Sequence, residues 1–110
     1  MELERYQDLA RRTQNQTLTL AQKRMHALHG LASEVGEIHG IYQKTFQGHA
    51  LRSEDVIDEL GDLLWFAAEL ADVLGVSLDE VAQRNVDKLM KRYPEGFEEV
   101  RSINRREMGC

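Results

Sequence analysis

Residues 33–38 read Ser33-Glu34-Val35-Gly36-Glu37-Ile38, and residues 58–63 read Asp58-Glu59-Leu60-Gly61-Asp62-Leu63. Both stretches carry acid, apolar, glycine, acid, apolar in the same order. Each lies in a run whose apolar residues recur at helical spacing. The first run holds Leu28, Leu31, Ala32, Val35, Ile38, Ile41 and Tyr42; the second holds Val56, Ile57, Leu60, Leu63, Leu64, Ala67, Leu70, Ala71 and Leu74. Residues three apart on a helix are neighbours. Glu34 with Glu37, and Glu59 with Asp62, therefore form two acidic pairs. Each pair sits on the flank of its own stripe, where Ile41 on one helix and Phe66 and Val73 on the other continue the apolar surface.

Gly48 stands midway in sequence between the two pairs. A reversal there makes the helices antiparallel and brings the pairs level, so four carboxylates converge. Gly36 and Gly61 are expected to let the backbones approach closely, since a mid-helix glycine costs about 1 kcal/mol relative to alanine. Four neighbouring carboxylates cannot all ionise unaided: some take up protons, or a cation lies between them. An all-oxygen set suits a hard ion, Mg²⁺ or Mn²⁺. A di-iron bundle site takes Glu-x-x-His from two helices. Here Glu37 is followed three residues on by Gly40, and Glu59 by Asp62, which disfavours iron. Acids at i,i+3 on a solvated face are the ordinary case. The repeat, the flank position and the symmetry about Gly48 favour a site.

Outward from this pair the chain reads as all-α. Leu3, Tyr6, Leu9 and Ala10 mark a first helix over residues 2–14, and Thr19 with Gln22 has capping-box spacing for the second. Ser53, followed by Glu54 and Asp55, reads as the N-cap of the third. Gly75 ends that helix, Ser77 with Glu80 reads as a capping box for a fourth, and Tyr93-Pro94 stops it. The expected architecture is a four-helix, bundle-like domain over residues 1–94 with a central antiparallel pair, completed by oligomerisation. A charged tail, 95–110, is expected to be partly helical or disordered.

The totals bound the function. The chain has 110 residues, a formal net charge of −5 and one cysteine, Cys110. One domain of this size buries a modest core. The acidic balance argues against nucleic acid as partner, no run is apolar enough to span a membrane, and a lone cysteine suits a reducing compartment. A cytoplasmic protein is the expectation. Trp65 and Phe66 read first as core or subunit interface, His26 and His29 as an exposed pair, and His39 as a hydrogen-bonded core histidine. Cys110 reads as inert.

With the order Glu34-x-x-Glu37, reversal, Glu59-x-x-Asp62 and then Asn85-Val86-Asp87-Lys88-Leu89-Met90-Lys91-Arg92-Tyr93-Pro94, the chain resembles the MazG-like nucleoside triphosphate pyrophosphohydrolases. These belong to an all-α superfamily that includes the dimeric dUTPases. The resemblance covers roughly Leu20 to Pro94. It implies that Glu34, Glu37, Glu59 and Asp62 bind Mg²⁺, and that a triphosphate is hydrolysed to nucleoside monophosphate and pyrophosphate. It also implies a homodimer or tetramer with sites near subunit interfaces. Many members carry another Glu where this chain has Ser33, which leaves open which carboxylate activates water. Asn85, Lys88 and Arg92 share one face of the fourth helix and are candidates for phosphate and sugar contacts; Lys44 is a weaker one. A non-catalytic helical oligomerisation module, its acids holding a structural ion or a basic partner, is the competing reading.

Overall fold

In a computed structural model the chain is all-helical, and the structure describes residues 1–104. The helices are α1 (Leu3–Arg11), α2 (Leu20–Thr45), α3 (Ser53–Leu74), α4 (Leu78–Arg92) and a short α5 (Glu99–Ile103). Cys110 lies outside the described residues. Thr19 caps α2 as the spacing predicts: its side chain accepts from Gln22 N–H, and the Gln22 side chain accepts from Thr19 N–H. Ser53 is the first residue of α3 rather than its cap. Arg52 holds the cap position without a side-chain hydrogen bond, so α3 starts on the acids of its first turn. Ser77 accepts from Glu80 N–H. Gly48 and Gly75, at φ 91° and 71°, supply the left-handed turns that end α2 and α3.

The long pair α2–α3 is the frame. Its antiparallel register pairs His26 with Glu69, Gly30 with Phe66, and Glu34 with Glu59 and Asp62. Each pairing is centred close to Gly48, as the symmetry of the acidic repeats predicts. The reason given to Gly36 and Gly61 is wrong. A Cβ at either would meet nothing within 4 Å, because both glycines face away from the helix interface. The close approach is at Gly30, where a Cβ would collide with the Phe66 ring.

The first helix is held on by polar groups as much as by packing. Ala10, Ala68, Ala71 and Leu78 form a small core, with Leu3, Tyr6, Trp65 and Val76 against it. Beside it Asp72 accepts from Gln7 Nε2 at 2.8 Å, Arg11 Nη2 at 2.7 Å and Gln14 Nε2 at 2.8 Å. Gln7 also takes the Leu78 N–H at 2.7 Å, which anchors the start of α4. Burial alone would raise the Asp72 carboxyl; the bonds from Arg11, Gln14 and Gln7 outweigh it and hold it below the usual range. Only Leu78 is buried along α4. The rest of that helix stands away, and the radius of gyration is 17.3 Å, against about 13 Å for a compact chain of this size.

The two kinds of glycine predict opposite substitutions. Gly30→Ala is expected to destabilise the fold by about 1–3 kcal/mol through the clash with Phe66. Gly36→Ala is expected to stabilise it by up to about 1 kcal/mol through helix propensity. Urea denaturation of the two variants reads both; equal shifts would contradict the assigned packing.

Candidate metal and nucleotide site

Three carboxylates gather at the middle of the α2–α3 pair. Oxygens of Glu34, Glu59 and Asp62 all lie within 4.8 Å of one another. Glu34 and Glu59 are half-buried, while Asp62 is exposed. Glu34 Oε2 is buried and accepts no hydrogen bond. The Glu59 carboxyl is pushed up from 4.5 to about 7. The largest cause is a hydrogen bond to Glu34 that only a protonated carboxyl can make; burial and the charges of Glu34, Asp62 and Asp58 add to it. A donor set of carboxylate oxygens, one orphaned by burial and one driven to hold a proton, fits a hard divalent cation.

Glu37 is not in this triad. It occupies an exposed position on α2, three residues on from Glu34. Asn85 and Lys88 are exposed on α4, and Arg92 is half-buried at its end. Helix α4 packs against α1 and α3, and it lends no residue to the cleft beside the acids. That cleft, about 380 Å³, is lined by Thr13, Glu34, Asp62, Trp65 and Phe66. Lys44 lies in a second cleft of about 370 Å³ at the reversal, with Ile41, His49, Ala50, Arg52 and Asp55.

Of the readings of aromatic and histidine residues, one changes and two gain partners. Trp65 and Phe66 are walls of the acidic cleft as well as neighbours of the core. Their rings meet edge to face with centroids 5.1 Å apart, and Trp65 Nε1–H donates to Thr13 Oγ1 at 2.8 Å. His39 is exposed on α2, not a core residue. His26 is exposed, as read, and pairs through Nδ1 with Glu69 Oε1 at 2.6 Å; Glu69 is fully buried. Sequence reasoning missed Glu69. Its signal was present: a single acid inside Phe66-Ala67-Ala68-Glu69-Leu70-Ala71, seven residues beyond Asp62 and so on the same helix face.

The family model described as the MazG nucleotide pyrophosphohydrolase domain matches residues 22–97. The chain belongs to the MazG nucleotide pyrophosphohydrolase family. The match takes in α2 from its third residue, all of α3 and α4, and every residue of the acidic triad. Among relatives, the chain is 36% identical to the "Gene 37 protein" of Mycobacterium phage L5, over 69% of this chain and 71% of that protein. It is 41% identical to the uncharacterised protein YvdC of Bacillus subtilis strain 168 over a shorter stretch, 40% of this chain and 42% of that protein. No solved structure matches the chain. Among the described residues no helix is long and apolar enough to cross a membrane.

The raised Glu59 carboxyl gives a signed pH dependence. The folded chain holds this proton up to about pH 7, while the unfolded chain releases it near 4.5. Folding therefore takes up a proton in that interval. The contribution is fully present below about 4.5 and is lost as pH rises through about 7. In the metal-free protein, Glu59→Gln is expected to gain stability relative to wild type as pH climbs from 5 to 8. Urea midpoints measured across that range check this; a difference independent of pH would contradict the shared proton.

Proposed function

We infer that the protein is a divalent-metal-dependent nucleoside triphosphate pyrophosphohydrolase that releases nucleoside monophosphate and pyrophosphate. The observation that carries this reading is the triad of Glu34, Glu59 and Asp62, with a buried orphan oxygen and a shared proton, in a chain of this family. Glu34, Glu59 and Asp62 would hold Mg²⁺, or Mn²⁺ in its place, and Glu37 would join them by a change of rotamer or through a second ion. The bound ion would supply charge neutralisation for the triphosphate, a more acidic water and stabilisation of the leaving oxygens.

The residues of the chain divide the remaining work. Glu59, whose carboxyl is raised to about 7 beside Glu34, is the carboxylate suited to take a proton from water. Ser33, one residue before Glu34, adds no further carboxylate. Asp62 sits at the mouth of the aromatic cleft, where it separates the phosphate end of a substrate from its base. At the reversal, Lys44 and Arg52 line a further cleft and offer positive charge to a phosphate that reaches it.

Asn85, Lys88 and Arg92 are phosphate- and sugar-binding candidates that we assign to the acids of a second copy. Two features support a homo-oligomer, dimer or tetramer. Val35 and Leu60, next in sequence to the triad, are 45% and 53% exposed, and Met90 on α4 is 59% exposed. Apolar surface of this extent beside a site marks an interface. Helix α4, whose buried residue is Leu78 in its first turn and most of whose length is exposed, offers a face for a neighbour to cover.

Folded protein incubated with a panel of ribo- and deoxyribonucleoside triphosphates and Mg²⁺ is expected to release pyrophosphate from at least one. Glu59→Gln is expected to lower kcat/KM by about 100-fold or more and to leave the fold intact. The active species should sediment as a dimer or larger. No pyrophosphate from any nucleotide, with Mg²⁺ or Mn²⁺, would sink this reading and leave the helical oligomerisation module in its place.

A further inference from the structure

Thr13 stands just beyond α1 and before the residues, 22–97, that the family model matches. It nevertheless lines the cleft beside the acids, together with Glu34, Asp62, Trp65 and Phe66. Two hydrogen bonds run through its hydroxyl. Trp65 Nε1–H donates to Thr13 Oγ1 at 2.8 Å, and the Thr13 hydroxyl donates to the Ala10 carbonyl oxygen at 2.9 Å. The directions are forced, because an indole nitrogen only donates and a carbonyl oxygen only accepts. The backbone that carries Thr13 is fixed in turn. Gln14, next in sequence, is buried; its side chain donates to Asp72 Oδ2 at 2.8 Å and accepts from Lys23 Nζ at 2.8 Å. The Thr13 hydroxyl is thus delivered from a segment tied to both α2 and α3.

As a source of stability the Thr13–Trp65 bond is a modest one. It is exposed, so water can serve the indole N–H in its place, and the net gain from such a bond is small. What water does not do is hold the ring in one direction. The indole is otherwise set by ring contacts: Phe66 with centroids 5.1 Å apart and planes at 87°, and His26 with centroids 6.3 Å apart and planes at 83°. Thr13 fixes the nitrogen-bearing edge.

The direction matters because of what shares the cleft. Asp62 comes three residues before Trp65 and is its neighbour on α3; Glu34 reaches the same space from α2. A nucleotide whose phosphates are held through these acids meets Trp65 about one helical turn along. The cleft, about 380 Å³, falls within the range of small-molecule sites, about 300–1,000 Å³. A base stacked on an aromatic ring gains affinity whatever its identity, and a ring free to tilt gives up part of that contact.

We propose that Thr13 is a positioning residue: through its hydroxyl it holds the Trp65 indole as the platform on which the base of the substrate stacks. Thr13 acts on the nucleoside end of the substrate alone. The triphosphate end, held by the acids, does not depend on it.

This inference rests on the pyrophosphohydrolase reading, and the experiment separates their failures. Trp65 is the single tryptophan of the chain, so intrinsic tryptophan fluorescence reports on the platform alone. The probes are the nucleoside triphosphates of the panel and inorganic tripolyphosphate, which has no base, each with Mg²⁺. A hydrolysed nucleotide is expected to change Trp65 emission on binding; tripolyphosphate is expected to leave it unchanged while inhibiting nucleotide hydrolysis. Thr13→Val, close to isosteric, is expected to raise KM for the nucleotide about three- to tenfold with kcat within about twofold, and to leave inhibition by tripolyphosphate as in wild type. Thr13→Ser, which keeps the hydroxyl, is expected to recover most of the loss. In a Trp65→Phe background, where the N–H is absent, adding Thr13→Val is expected to change KM no further. A merely structural Thr13 would weaken nucleotide and tripolyphosphate alike. That result overturns the proposal, as does an unchanged KM in Thr13→Val or Trp65 emission unmoved by a nucleotide that is hydrolysed. Hydrolysis of no nucleotide by wild type overturns the pyrophosphohydrolase reading and this proposal with it.

Discussion

Glu34 and Glu59 face each other across two antiparallel helices, and the charge they bring together cannot stand there alone. One oxygen of Glu34 is buried without a donor, and Glu59 answers by holding a proton to about pH 7. Such an arrangement stores a demand for positive charge. A proton satisfies part of it, and a hard divalent ion satisfies more. The register that creates the demand is fixed elsewhere along the same helix pair, by the Gly30–Phe66 contact and the His26–Glu69 bond. The site is thus a consequence of how α2 and α3 lock together, and the helices on either side serve that frame.

Helix α1 shows how. It is short, and its apolar contribution is a few side chains around Ala10. Asp72 holds it through Gln7, Arg11 and Gln14, and Thr13, just beyond its end, fixes Trp65 in the wall of the cleft. Polar bonds with demanding geometry position this wall more sharply than a few alanines do. Helix α4 is the opposite case. Its buried residue is Leu78, in the first turn, and Val81, Val86, Leu89 and Met90 are exposed along it. A chain with so small a core leaves much of its apolar surface to be covered from outside.

A good part of this was legible in the sequence. Helical periodicity and the end signals at Thr19 and Gly75 mark the elements, and the symmetry of two acidic repeats about Gly48 brings Glu34 level with Glu59 and Asp62. Glycine was legible as a feature but not as a cause. Gly36 and Gly61 stand inside the acidic motifs and invited a role in helix approach, whereas the packing glycine is Gly30, which only knowledge of Phe66 as its opposite number reveals. Glu37 looked equivalent to Glu34; it is exposed on α2 and stands outside the cluster that Glu34 forms with Glu59 and Asp62. Glu69 carried a local signal, a lone acid in an apolar run, but its pairing with His26, distant in sequence, had none.

The claim on which the rest depends is that these carboxylates bind a divalent cation together. Titrating Mn²⁺ into the protein at pH 8, with free Mn²⁺ followed by its electron paramagnetic resonance signal, tests that claim without any substrate. Uptake by wild type, lost in the double variant Glu34→Gln/Glu59→Gln while that variant stays folded, is the predicted result. Mn²⁺ left free by wild type, or taken up equally by the double variant, would contradict it.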